Sequence, residues 1–211
     1  MSPEVKTRIQ PAALLDTSRF EMFAVLKGDE RFAFLRHYFW KVPSRVTWAH
    51  HTCTALILAA LVISAASSES GLTRWLAQVV AGLGAAVVVL MPLHEVVHAL
   101  AYKALGARDI RWTLSIRKQI ATVTAHLFVL ARRDMFIVAG SPWVLITVLL
   151  SVASAASPSL RPLLLTAMLV HHFGSRGDWA YLNYFWRTRG REVYAFEDAD
   201  AGQCWFYVSR P

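Results

Sequence analysis

The stretch His94-Glu95-Val96-Val97-His98 carries the densest chemical signal in the chain. On a helix, residues four apart share a face, so His94 and His98 can offer ring nitrogens to one metal ion. Glu95 falls beside them, where a carboxylate can take a proton from a water acidified by the metal. Two histidines flanking a helical turn also arise simply as polar groups satisfied by neighbouring helices. The surroundings favour the metal. The motif lies in an apolar run from Trp75 to about Ala104, just after the helix-distorting Met91-Pro92. A bilayer segment excludes ionisable residues unless they have a partner or a role. The expected ion is Zn2+.

A catalytic zinc usually takes three protein ligands and keeps one position open. The third is sought in another apolar run, within His171-His172-Phe173-Gly174-Ser175-Arg176-Gly177-Asp178. Asp178 is the first choice, because a carboxylate inside a membrane needs a counter-charge that zinc would supply. His171, seven residues earlier on the same helical face, and His172 are the alternative ligands; as plain structure they would hydrogen-bond between helices. Gly174 and Gly177 would let the two helices approach closely.

Four apolar runs organise the chain: about 50–67, 75–104, 135–156 and 162–185. Hydrophobic residues make up 55% and charged residues 17%, too apolar a balance for an ordinary soluble domain. Each run is long enough to span a bilayer. Gly82 and Gly84 offer close packing in the second, and Gly140-Ser141-Pro142 interrupts the third. The expected fold is an all-α membrane bundle of about four transmembrane helices, with a β-hairpin in the loop between spans two and three. Its parts would be an amphipathic N-terminal segment (1–48), a four-span zincin-like domain (49–186) and a tail (187–211). Ser18 and Glu21 have capping-box spacing, so a helix is expected from about Arg19. This N-terminal segment would lie along the membrane surface or pack on the rest of the protein.

The net charge of +8 does not point to nucleic acid, because the basic residues form no single patch with interleaved aromatics. They gather before span one, between spans two and three, and at Arg187, Arg189 and Arg191. By the positive-inside rule both termini and the middle loop face the cytoplasm of a multi-pass plasma-membrane protein. Apolar sequence begins too far in for a cleaved signal peptide. Cys53 and Cys204 form no CxxC pair, so neither a disulfide nor a thiolate metal site is expected.

This topology checks the site independently. Spans two and four run in the same direction. Glu95 lies roughly 30 Å along one from Trp75, and Asp178 roughly 24 Å along the other from Pro162. They are the only acidic residues within the four runs. Both should reach similar depth near the cytoplasmic face.

In the middle loop, Ile110, Trp112, Leu114 and Ile116 alternate with polar residues at strand period. Lys118-Gln119 could turn the chain into a second strand over 120–129. Such a hairpin would either cover the mouth of the site or present an edge to an extended peptide substrate. His126, in the second strand, reads as a surface residue.

An apolar HEVVHALAYKALGA, a strand-forming loop, a third span with an early proline and a fourth carrying GSRGD together resemble the bacterial family called "Putative zincin peptidase". It is a domain family of unknown function whose layout is similar to that of site-2 intramembrane metalloproteases. The resemblance covers roughly residues 75–208. It implies a zinc-dependent membrane peptidase, with His94, His98 and Asp178 as ligands and Glu95 as general base. Unlike the usual site-2 pattern, Asp178 is followed by Trp179 rather than glycine, and there is no Asn-Pro pair. Two other classes fit the same residues: a non-catalytic zinc-binding membrane scaffold or regulator, and a small transporter using the His and carboxylate groups as an ion path. The transporter is the weaker of these, since four spans show no internal repeat.

Overall fold

The structure, a computed structural model, describes residues 8–66, 71–115 and 120–211. Three helices are long and apolar enough to cross a membrane: Arg45–Ala66, Gly71–Ala104 and Arg132–Ala156. Only 17%, 17% and 28% of their apolar windows are buried within the protein. Leu56, Val62 and Ile63 of the first, Val80, Val87 and Val88 of the second, and Val144, Val148 and Val152 of the third are exposed. An apolar surface of that extent calls for a lipid or protein neighbour.

The first long helix is α2 (Arg45–Ala66). The second comprises α3 (Gly71–Ala85) and α4 (Met91–Ala104), joined by a π-helical turn over Ala86–Leu90. The third is α5 (Arg132–Ala156), with Pro142 inside it. The fourth apolar run departs from expectation. It forms two helices, α6 (Arg161–Gly174) and α7 (Arg176–Arg187), neither as long as a span. The break falls after Gly174, where the Ser175 hydroxyl donates to the carbonyl of His171, which also accepts the Ser175 amide. α6 packs against α2, α3 and α5, which explains why Leu165, Ala167, Met168, His171 and His172 are all buried.

Close packing is set at Gly82. A Cβ there would lie 2.5 Å from the Leu163 carbonyl oxygen and 2.8 Å from Thr166 Cβ. At Gly84 nothing lies within 4 Å, so only the first of this pair serves a helix contact. Gly82→Ala forces α3 and α6 apart and should cost about 1–3 kcal/mol. A lower melting temperature in detergent for this variant, beside an unchanged Gly84→Ala, checks it.

The chain is not all-α. The anticipated hairpin is present as β2 (Ile110–Ser115) and β3 (Ile120–Ala125), paired antiparallel with Ile110 opposite Ala125. Lys118-Gln119, expected to form its turn, lies outside the described residues. The unexpected part is a four-stranded sheet that joins both ends of the chain. Its strands are β1 (Phe20–Lys27), β4 (Leu130–Ala131), β5 (Val193–Asp198) and β6 (Gln203–Ser209), in the order β1-β6-β5-β4.

The helix expected from Arg19 is therefore a strand. Ser18 caps no helix: its hydroxyl and amide both bond Asp16 Oδ1, closing a turn that delivers the chain into β1. The helix begins later, as α1 (Gly28–Trp40). Gly28 enters it at φ +41°, a conformation that glycine adopts without a Cβ penalty, and the Glu30 side chain accepts from the Lys27 amide. One face of α1, with Phe34, Leu35, Tyr38 and Phe39, packs on the core that holds Tyr184 and Phe206. The other exposes Phe32, Arg36 and Trp40.

Candidate metal centre

The site is built on α4, α7, α6 and the hairpin. The π turn at Ala86–Leu90 lets the helix pass Pro92, which has no amide hydrogen to donate, and such widened turns recur at functional sites. Beyond it, His94, Glu95 and His98 are buried.

The two rings converge on one point, with His94 Nε2 and His98 Nε2 3.0 Å apart. Asp178, in the first turn of α7, faces both. Its Oδ2 is 3.0 Å from His94 Nε2 and its Oδ1 is 3.4 Å from His98 Nε2. Residues from two separate apolar runs thus meet at one point.

The outer nitrogens fix which atoms point inward. His98 Nδ1 lies 3.0 Å from the Val138 carbonyl oxygen of α5. A carbonyl only accepts, so Nδ1 carries a proton, and the neutral ring then presents its Nε2 lone pair inward. His94 Nδ1 lies 3.0 Å from His171 Nε2, which can hold His94 in the same tautomer. The inward-facing atoms are then two imidazole lone pairs and a carboxylate, an acceptor-rich set that a cation satisfies.

Its dimensions suit zinc. Ligand atoms at roughly 2.0–2.1 Å in tetrahedral array stand about 3.3 Å apart; the two ring nitrogens are 3.0 Å apart, and the two oxygens of Asp178 lie 3.0 and 3.4 Å from them. Two nitrogens and one oxygen form a typical zinc set, and histidines whose far nitrogens are bonded to fixed partners are the usual support.

Glu95 belongs to the same cluster, its carboxylate lying within 4.8 Å of the ligand atoms of His94 and His98. Its Oε2 accepts from the backbone amide of Val123 at 2.9 Å. Hairpin strand β3 therefore anchors the carboxylate and aims it. Neither Val138 nor Val123 carries a side-chain signal; both act through the backbone, so sequence reasoning had no means to find them.

The two alternative ligands separate cleanly. His172 has both nitrogens engaged elsewhere: Nδ1 accepts from Trp143 Nε1 at 2.7 Å, and Nε2 lies 3.1 Å from the His50 carbonyl and 3.0 Å from Thr54 Oγ1. Its ring also stacks on His50, with centroids 4.1 Å apart. It ties α6 to α2 and α5. His171 stands directly behind His94, with its Nδ1 buried and without a hydrogen-bond partner among the described residues. Gly174 contributes by closeness, since a Cβ there would lie 3.1 Å from Met91 Sδ.

A second group, His126, Asp198 and Asp200, lies at the rim. His126 Nδ1 already accepts from the Ala199 amide at 3.1 Å, and Asp200 pairs with Arg111. Arg111 also holds the Asp109 carboxyl below its usual range, chiefly through their hydrogen bonds. That rim is a solvated ion network whose charges are already met.

Residues 87–191 match the family model described as "Putative zincin peptidase". The matched segment holds the three convergent residues, Glu95, the hairpin and α5 to α7, whereas β1, α1, β5 and β6 lie outside it. No curated protein and no solved structure matches the chain.

Proposed function

We propose that this chain, whose residues 87–191 belong to the family of putative zincin peptidases, is an integral membrane zinc metallopeptidase. It would hydrolyse peptide bonds near the cytoplasmic membrane face. The observation that carries this reading is the convergence of His94 Nε2, His98 Nε2 and Asp178 within 3.0–3.4 Å beside the carboxylate of Glu95. Those three residues are the ligands, and Glu95 is the general base.

Zinc held there would acidify a water toward a pKa of about 7 and polarise a scissile carbonyl. Glu95, steadied at Oε2 by the Val123 amide, takes the proton released when water attacks the carbonyl carbon. As the C–N bond breaks, the same carboxyl gives that proton to the departing amine, so the base is restored. Asp178 contributes the negative charge that offsets the dication. His94 and His98 stay neutral, each with its proton on Nδ1.

His171 acts behind the ligand shell. Its Nε2 accepts from His94 Nδ1–H and keeps His94 Nε2 turned inward. His171→Ala should weaken zinc binding about 10–100-fold, the usual loss on removing an outer partner. His171→Gln, whose amide oxygen still accepts, should retain most of the affinity. Competition with a chromophoric chelator reads both.

The reading places α2, the continuous α3–α4 helix and α5 across a plasma membrane, with α6 and α7 together as a fourth passage. Both termini then face the cytoplasm, where the basic residues cluster. The substrate is a membrane-associated protein or peptide in extended form. Val123, whose amide donates to Glu95, sets β3 beside the site, and an extended chain would lie along that strand.

Cleavage of fluorescein-labelled casein by the detergent-purified protein tests the reading. Activity that is lost with 1,10-phenanthroline and restored by zinc supports it. Cleavage indifferent to the chelator rules it out.

A further inference from the structure

Glu95 is aimed by a hairpin that packs along α4 and is tied a second time to the rest of the fold. These further ties come from the C-terminal strands and from α1, both outside the family match. Thr124, next to Val123 in β3, donates from Oγ1 to Glu197 Oε2 at 2.8 Å. The other oxygen, Oε1, takes an ion pair from Arg31 Nη2 at 2.5 Å, and Arg31 lies over the Tyr181 ring of α7 at 5.8 Å. The Glu197 main chain also contributes. Its carbonyl accepts from the Leu127 amide at 2.8 Å, and His126 forms a parallel bridge with it. Leu127 sits at φ +52°, a conformation that costs a branched side chain energy and persists only where surrounding contacts enforce it.

We infer that Glu197 is a positioning residue: with Thr124 and Arg31 it clamps the β2–β3 hairpin so that the Val123 amide holds Glu95 for proton transfer. This rests on the metallopeptidase reading. It gives the C-terminal strands a part in the chemistry, since the chain runs from α7, which carries Asp178, through Arg31 and Glu197 to β3 and Glu95. Both halves of the site are thereby referred to one fixed point. The clamp touches none of the metal ligands, so breaking it separates base placement from metal binding.

The test uses the full-length zinc-loaded protein and its Thr124→Val, Thr124→Ser and Glu197→Ala variants. Valine matches threonine in shape and suits a strand, but it cannot donate; serine can. Three quantities are read: zinc per chain, initial rate on labelled casein, and amide exchange of residues 120–125. The clamp predicts wild-type zinc in all three variants. Thr124→Val and Glu197→Ala should cleave at least about tenfold more slowly, as misplacing a reacting group by an ångström can cost more than that. In both, exchange over 120–125 should rise, and Thr124→Ser should stay within about twofold of wild type in rate. Unchanged exchange or full cleavage in Thr124→Val overturns the inference. So does zinc loss in Glu197→Ala, which would make the cluster a support of the metal set. Absence of zinc and of cleavage in the wild type defeats the peptidase reading instead, and the exchange measurement still decides the clamp.

Discussion

Glu95→Gln should bind zinc as the wild type does and cleave casein about 10²–10⁴-fold more slowly, the usual worth of a positioned general base. The substitution is nearly isosteric, and the amide oxygen can still accept from Val123, so the hairpin stays in place. What disappears is the capacity to take a proton from the attacking water and return it to the leaving amine. The pair of measurements discriminates between classes. Retained zinc with lost cleavage fits the peptidase. A scaffold or regulator that merely holds zinc would keep its cellular phenotype in Glu95→Gln, and that result would remove Glu95 from the chemistry.

Asp178→Ala should weaken zinc by more than about 100-fold, beyond the roughly 10–100-fold typical of an outer-shell change. Two effects combine. One ligand atom is removed, and the charge of the dication is left without its carboxylate in a buried setting. The loss should therefore exceed that of His171→Ala, which leaves all three ligands in place. Titration against a chelator of known affinity orders the two variants. The reverse order would make His171 the third ligand and Asp178 its support. Asp178→Asn, which keeps one oxygen but not the charge, should fall between Asp178→Ala and the wild type.

Much of the centre was legible because its information is local or set by depth. The four-residue spacing of His94 and His98 puts both rings on one helical face wherever the helix goes. Glu95 and Asp178 stand out as lone acidic residues in apolar runs, where a buried carboxylate needs a partner. The hairpin announced itself through the alternation of Ile110, Trp112 and Leu114 with polar neighbours.

Other features depend on long-range pairing that composition does not record. The Ser18 and Glu21 spacing matches a capping pattern and predicts a helix where β1 forms, whereas Asp16 satisfies Ser18 locally and Phe20–Lys27 pairs with β6 near the other end of the chain. In the tail, Val193–Asp198 and Gln203–Ser209 did carry a strand signal: β-branched and aromatic residues on either side of Asp198-Ala-Asp-Ala-Gly202. The division of the fourth run also had a local sign at Gly174-Ser175, but helical periodicity continues across it. His171 and His172 look alike in sequence. Only their neighbours separate them, with His94 in front of one and His50, Thr54 and Trp143 around the other.

The central claim is that two histidines and an aspartate from separate helices hold a zinc ion. The most direct measurement is the metal content of the detergent-purified protein, wild type beside His94→Ala, by elemental analysis after removal of loosely bound ions. The account predicts about one zinc per chain in the wild type and none retained in a folded His94→Ala. Wild-type protein that is well folded and binds no zinc on reconstitution, or His94→Ala that keeps it, would contradict the account.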